Sequence, residues 1–192
     1  MMDENIQILK ILNDMATSIF KNRKSNIARI NSSNFSEEGK EVLILRIIKP
    51  LDDSLYYISN DISDILHLIP IYNFFLEDIA GINIYDAAQL ISILKDIDNF
   101  QTFGNLLSYA GFIPYAKKYN KKLHKNLLRI GYKLSTKNPQ YQFVFDMAYN
   151  KYKKKYPNKS DEHIENMAKR IVVKKFLKNL YFTWNSLNDD FE

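Results

Sequence analysis

Cysteine is absent from the 192 residues, which removes disulfides and thiolate metal sites from consideration. Histidine is nearly as scarce: His67, His124 and His163 stand far apart, without the spacing of metal ligands. Glycine and proline number five each, and no Gly/Ser/Pro-rich linker divides the chain. There is no phosphate-binding glycine loop, nucleophile elbow or H-E-x-x-H motif. No apolar run approaches the roughly 18 residues that a membrane helix needs. The apolar stretch 6–12 is broken by Gln7 and Lys10, unlike the core of a signal peptide. These absences lead to the expectation of an intracellular, cytoplasmic protein with no cofactor, no metal site and no membrane partner.

What is present is apolar and aromatic. The hydrophobic fraction is 46%, with 13 Tyr and 12 Phe, which predicts a packed core. The net charge of +5 is mild, but it is unevenly spread. Residues 1–110 carry nine Lys/Arg against fifteen Asp/Glu, whereas residues 111–182 carry eighteen against four. A basic half joined to an acidic one suggests a polyanionic partner.

The periodicity is helical almost throughout, and the expected fold is all-α. Residues 5–20 place apolar side chains at Ile6, Leu9, Leu12 and Ile19 on one stripe. Residues 21–33 are basic and then polar, and are expected to form a loop. Residues 37–49 read as helix or strand, ended by Pro50 in either case. Helices are expected over 53–68, 85–95, 102–110, 118–134, 140–156 and 160–187, with breaks at Asn138-Pro139 and Pro157-Asn158. The organisation expected is a helical extension over residues 1–70, serving oligomerisation or a partner, followed by a helical nucleic-acid-binding domain over 71–192.

The stretch IAGINIYDAAQLI, residues 79–91, spends one of the few glycines on a tight turn between apolar runs. Two helices joined in this way can form a helix-hairpin-helix, whose turn offers backbone N–H groups to a phosphate. Gly81, Ile82 and Asn83 are the candidate contacts. Asn83 stands where a second glycine would be comfortable, and asparagine tolerates a left-handed backbone best among the other residues. An ordinary αα-hairpin gives the same pattern.

Residues 79–114 as a whole, IAGINIYDAAQLISILKDIDNFQTFGNLLSYAGFIP, resemble the C-terminal domain of the IS-one-ten-type insertion-sequence transposases, the family that includes the Piv/MooV invertases. The matches are Ile79, Gly81, Ile82, Ala87, Leu90, Asp96, Ile97 and Phe100, then Leu107 to Gly111 and Pro114. The basic run Asn120-Lys121-Lys122-Leu123 follows in the family's order, and the likeness extends over residues 76–187. The resemblance implies a DNA-binding helical domain that works in oligomers. Two of the family's catalytic elements are missing. The segment before the turn is too short for a ribonuclease-H-type nuclease domain. Tyr115-Ala116-Lys117-Lys118-Tyr119 stands where the family carries its serine loop.

The reading is therefore a protein without catalytic residues that binds nucleic acid, DNA before RNA, and that can form a homodimer. Lys117, Lys118, Lys121, Lys122, Lys125 and Arg129 are the candidate backbone track. Lys151, Lys153, Lys154, Lys155, Lys174 and Lys175 form a second candidate patch. Tyrosines among the 115–119 and 149–156 lysines could stack on bases. Two other readings stay open: a subunit of an active recombinase or nuclease, and a protein–protein adaptor using the basic face.

Overall fold

The computed structural model describes residues 2–114 and 118–191, and every regular element among them is helical. In chain order these are α1 (Met2–Asn31), α2 (Glu37–Leu43), α3 (Lys49–Leu66), α4 (Ile84–Leu94), α5 (Phe103–Tyr109), α6 (Lys121–Lys137), α7 (Pro139–Lys155) and α8 (Asp161–Phe191). The segment expected to be either helix or strand is helix, so the all-α expectation stands. No helix among the described residues is long and apolar enough to cross a membrane.

Two expectations are corrected in the first third. Residues 21–31 are not a loop, because α1 runs on to Asn31. Its inward face continues through Arg23, Asn26, Ile27 and Ile30, and the Arg23 guanidinium pairs with Asp52 of α3. A polar ion pair thus occupies a turn where an apolar stripe would have announced the helix. Pro50 does not end its helix either. Between α2 and α3 the chain passes through one wide π turn, Ile44–Ile48, in which the Lys49 N–H donates to the Ile44 carbonyl. Proline lacks an N–H and crowds the carbonyl four residues back. The wider turn shifts the hydrogen-bond register just ahead of it, and the helix continues.

A single core gathers side chains from both halves of the chain. Ile6, Leu9 and Ala16 of α1 bury in the same cluster as Ile62 and Leu66 of α3, Leu90 and Ile91 of α4, Leu127 and Ile130 of α6, and Val172 to Leu180 of α8. Phe176 is fully buried and stacks on Phe75 with ring centroids 6.0 Å apart. Burial of one such side chain is worth about 1.5–3 kcal/mol. The crossing of α6 over α8 depends on Gly131. A Cβ there would stand 2.5 Å from Val173 Cγ2, closer than any side chain allows.

Candidate nucleic-acid interface

The glycine turn is built from three local decisions. Ahead of it the chain makes a single wide turn, Tyr72–Leu76, rather than a long first helix. Gly81 then takes φ = 101°, a left-handed value that suits glycine. It also lies against α6, where a Cβ would meet the Lys133 carbonyl oxygen at 3.0 Å. Asn83 next caps α4.

Asn83 is not left-handed, contrary to expectation. Its φ is −108° and ψ is 169°, and its side chain accepts from the Asp86 N–H at 2.9 Å. The Asp86 carboxylate returns to the Asn83 N–H at 3.5 Å, which completes a capping box. The start of α4 thus has its own anion. Asp86 is only 1% exposed. Lys133 Nζ approaches its Oδ2 at 2.5 Å, and Arg129 Nη2 lies 2.7 Å from its Oδ1. The Arg129 contact is an ion pair without an aligned hydrogen bond, so Oδ1 has no donor pointing at it. The guanidinium turns its hydrogens instead to Asn126 Oδ1 at 3.0 Å and Gln89 Oε1 at 3.2 Å.

Tyr109 at the end of α5 is tied to Asn120 just before α6. The Asn120 N–H donates to the Tyr109 carbonyl at 2.8 Å, and its side-chain amide donates to the Tyr109 hydroxyl at 2.7 Å. Asn120 also caps α6 by accepting from the Leu123 N–H. His124 donates from Nδ1 to the Ala110 carbonyl, 2.9 Å away, and packs against Phe112 and Tyr119. A carbonyl only accepts, so Nδ1 carries the proton.

Along α6, Leu123, Leu127, Ile130 and Leu134 face the core, which turns Lys121, Lys122, Lys125 and Arg129 outward. Lys118 is exposed just before the helix, and Lys117 lies outside the described residues. The candidate lysines are not alike in charge. Lys122 pairs with Asp14 of α1 at 2.7 Å, and Lys153 pairs with Asp161 at the start of α8. Among the described residues, Lys118, Lys121, Lys125, Lys151, Lys154, Lys155, Lys174 and Lys175 have no carboxylate within ion-pair distance. Lys174 is half-buried on α8, and Lys175 is exposed beside it.

The structure brings some candidates together and keeps others apart. Gly81 touches α6 at Lys133, whereas the unpaired lysines start at Lys121, twelve residues earlier on the same helix. At 1.5 Å per residue that is about 18 Å along the axis, more than one phosphate can bridge. The tyrosines also divide. Tyr149 donates to Asp161 at 3.2 Å, and burial followed by that carboxylate raises its pKa above the usual phenol value. Tyr152 and Tyr156 stack on each other at 6.2 Å, with Lys155 above the Tyr156 ring.

Sequence reasoning missed Asp86, Asn126 and Lys133. The capping pair Asn83-x-x-Asp86 was a local signal for the first, but nothing local points to partners 40 or more residues away on α6. Asp86 and Lys133 line a cleft of about 300 Å³ between α1, α4 and α6, into which Asn13, Phe20 and Tyr85 also face. No group of three or more His, Asp or Glu side chains among the described residues is placed to hold a metal ion.

No family model, curated protein or solved structure matches the chain.

Proposed function

We propose that this is a non-catalytic nucleic-acid-binding protein, with DNA preferred over RNA, related to the C-terminal domain of the IS-one-ten-type transposases. The observation that carries the reading is the row of unpaired cations Lys118, Lys121 and Lys125 at the start of α6. The acids that pair with α6, Asp14 of α1 and Asp86 of α4, are already taken by Lys122, Arg129 and Lys133. A helix that presents cations and directs its apolar residues inward is suited to follow a phosphate backbone. The unpaired Lys151, Lys154 and Lys155 at the end of α7 supply a second contact.

The helix-hairpin-helix reading belongs to the same proposal, with a reduced share. The Asn83 and Asp86 side chains take up each other's backbone N–H groups, so the turn has less to offer a phosphate than the basic helices have. An outward stripe of Ile8, Ile11 and Met15 on α1 supports self-association, and Ile11→Glu would then shift the sedimentation coefficient toward that of a monomer.

The test is binding to short duplex, branched and single-stranded DNA and to structured RNA across a salt series, with magnesium present to reveal cleavage. Salt-sensitive binding without cleavage is expected. Cleavage would instead support the recombinase or nuclease reading. The adaptor reading draws on a different observation, an apolar groove of about 270 Å³ between α7 and α8 whose Phe143 and Met147 are largely exposed. Absence of nucleic-acid binding even at low salt would favour it.

A further inference from the structure

The cleft between α1, α4 and α6 carries an observation that the basic helices do not explain. Asn13 is 4% exposed, yet its side-chain amide makes no hydrogen bond to any described residue, and it lines the cleft. Its amide atoms are not sealed from solvent, since Asp86 Oδ1 is the one fully covered side-chain atom without a partner among the described residues, so the Asn13 amide is open to a group entering the cleft. Thr17 and Phe20 follow Asn13 on the same face of α1, one and two turns on, and line the same space. Across from them stand Tyr85 and Gln89 of α4. The Phe20 and Tyr85 rings meet edge to face with centroids 5.2 Å apart, forming an aromatic wall.

The opposite wall is cationic. Arg129 and Lys133 are held there by Asp86, which is covered and acts as their anchor. Beyond Arg129 a second cleft of about 310 Å³ opens, lined by Lys122, Lys125 and Asn126 and sharing Gln89 and Arg129 with the first. The two clefts adjoin at Gln89 and Arg129, with amides and aromatic rings on the α1 and α4 sides of the first and the α6 cations beyond them. Arg129, Lys133, Lys122 and Lys125 outnumber the acids Asp86 and Asp14 that pair with them.

The geometry points to a site for a nucleoside 5′-phosphate unit. The base would lie against Phe20 and Tyr85, with its donors and acceptors on Asn13 and Gln89, and the phosphate would lie on Lys125 and Arg129. A planar heterocycle bearing both donors and acceptors, joined to a dianion, matches both ends of the groove. A bare anion leaves Asn13 unpaired, and an uncharged ring leaves the cations unused. The size agrees, since small-molecule sites begin near about 300 Å³. The unit could be a free nucleotide or the phosphorylated end of a strand. The inference deepens the nucleic-acid reading above, and rests on it only for the strand-end source.

The experiment uses the full chain with guanosine and adenosine 5′-monophosphate, guanosine, and inorganic phosphate as separate probes. NMR side-chain amide signals and calorimetry provide the readouts. The monophosphates are expected to shift the Asn13 and Gln89 amide signals and to bind at least about tenfold more tightly than either half alone. Asn13→Leu and Gln89→Leu should each lose about tenfold at an unchanged melting temperature. If Asn13→Leu fails to fold, Gln89→Leu on the half-exposed face of α4 still decides the question. Equal affinity for inorganic phosphate, or binding that both variants retain, overturns the proposal. A 5′-phosphorylated oligonucleotide that competes where its 5′-hydroxyl twin does not identifies the strand end as the source, competition by neither identifies the free nucleotide, and equal competition by both overturns the proposal. Duplex binding with no nucleotide binding sinks this inference alone, and the reverse sinks the nucleic-acid reading alone.

Discussion

Gly81 and Lys133 are in backbone contact: a Cβ on Gly81 would stand 3.0 Å from the Lys133 carbonyl oxygen and 3.2 Å from its carbon. This contact fixes the angle at which α4 leaves the turn, and so aligns Asp86 with Arg129 and Lys133. Gly81→Ala meets two penalties there, a left-handed φ of 101° and the crowding of a backbone that cannot rotate away. We expect a loss of about 1–3 kcal/mol in chemical denaturation. Duplex binding measured well below the melting temperature should fall little. A large loss of binding with the fold intact would return the turn to the phosphate contact.

Asp86 separates a structural role from a ligand role. Replacing it by Ala would leave Lys133 and Arg129 facing a covered space with no counter-charge, and would remove half of the capping box. Breaking a buried pair from one side costs about 3–5 kcal/mol. Both cations keep some exposure, Arg129 the more, so about 2–3 kcal/mol is expected here. Asp86→Asn keeps the cap geometry and should cost less. Urea melts of the two variants would decide, and equal stabilities would mean that the charge of Asp86 contributes nothing.

How much of this was readable depended on what carried the signal. The apolar stripes of α3, α4 and α6 are strong, and their helices follow from spacing alone. The last third of α1 was hidden because Arg23 and Asn26 stand where apolar residues would continue the stripe, and Asp52, 29 residues on, completes the pairing. Pro50 reads as a stop in any local rule, and only the π turn before it lets the helix pass. The candidate site was half visible. Basic residues were plain, but which of them are already neutralised depends on Asp14 and Asp86, whose partners lie on helices distant in sequence, and on Asp161 across the α7–α8 turn.

That distinction yields a prediction about salt. A lysine that releases a counterion on binding contributes about 0.9 to the slope of log K against log salt. Lys125→Gln should therefore flatten the slope by close to that amount. Lys153→Gln should change it less, since Asp161 already neutralises Lys153 and holds its pKa above the usual ammonium value through a direct hydrogen bond. Fluorescence anisotropy on one duplex at four salt concentrations would resolve the difference. Equal slopes for the two variants would remove ion pairing as the property that selects the contacts.

His67 ties the end of α3 to the segment entering the glycine turn, and the tie depends on pH. Its Nδ1 lies 2.7 Å from the Ser63 carbonyl and its Nε2 3.1 Å from Glu77 Oε1, two groups that only accept when Glu77 is ionised. Both ring nitrogens are donors only in the imidazolium, so the Ser63 carbonyl first and Glu77 second raise the pKa above its ordinary value. A folded pKa above the unfolded one contributes stability that is complete below the unfolded pKa, about 6.5. That stability is lost as pH rises through the folded pKa. The melting-temperature difference between the wild type and His67→Gln should therefore be greatest near or below about pH 6 and shrink as the pH rises. An NMR titration gives the direct check. The His67 midpoint should lie above the ordinary value and move down in Glu77→Gln, yet remain raised because the Ser63 carbonyl persists. A midpoint unmoved by Glu77→Gln would show that the backbone carbonyl alone holds the proton, and that Glu77 is a neighbour rather than a partner.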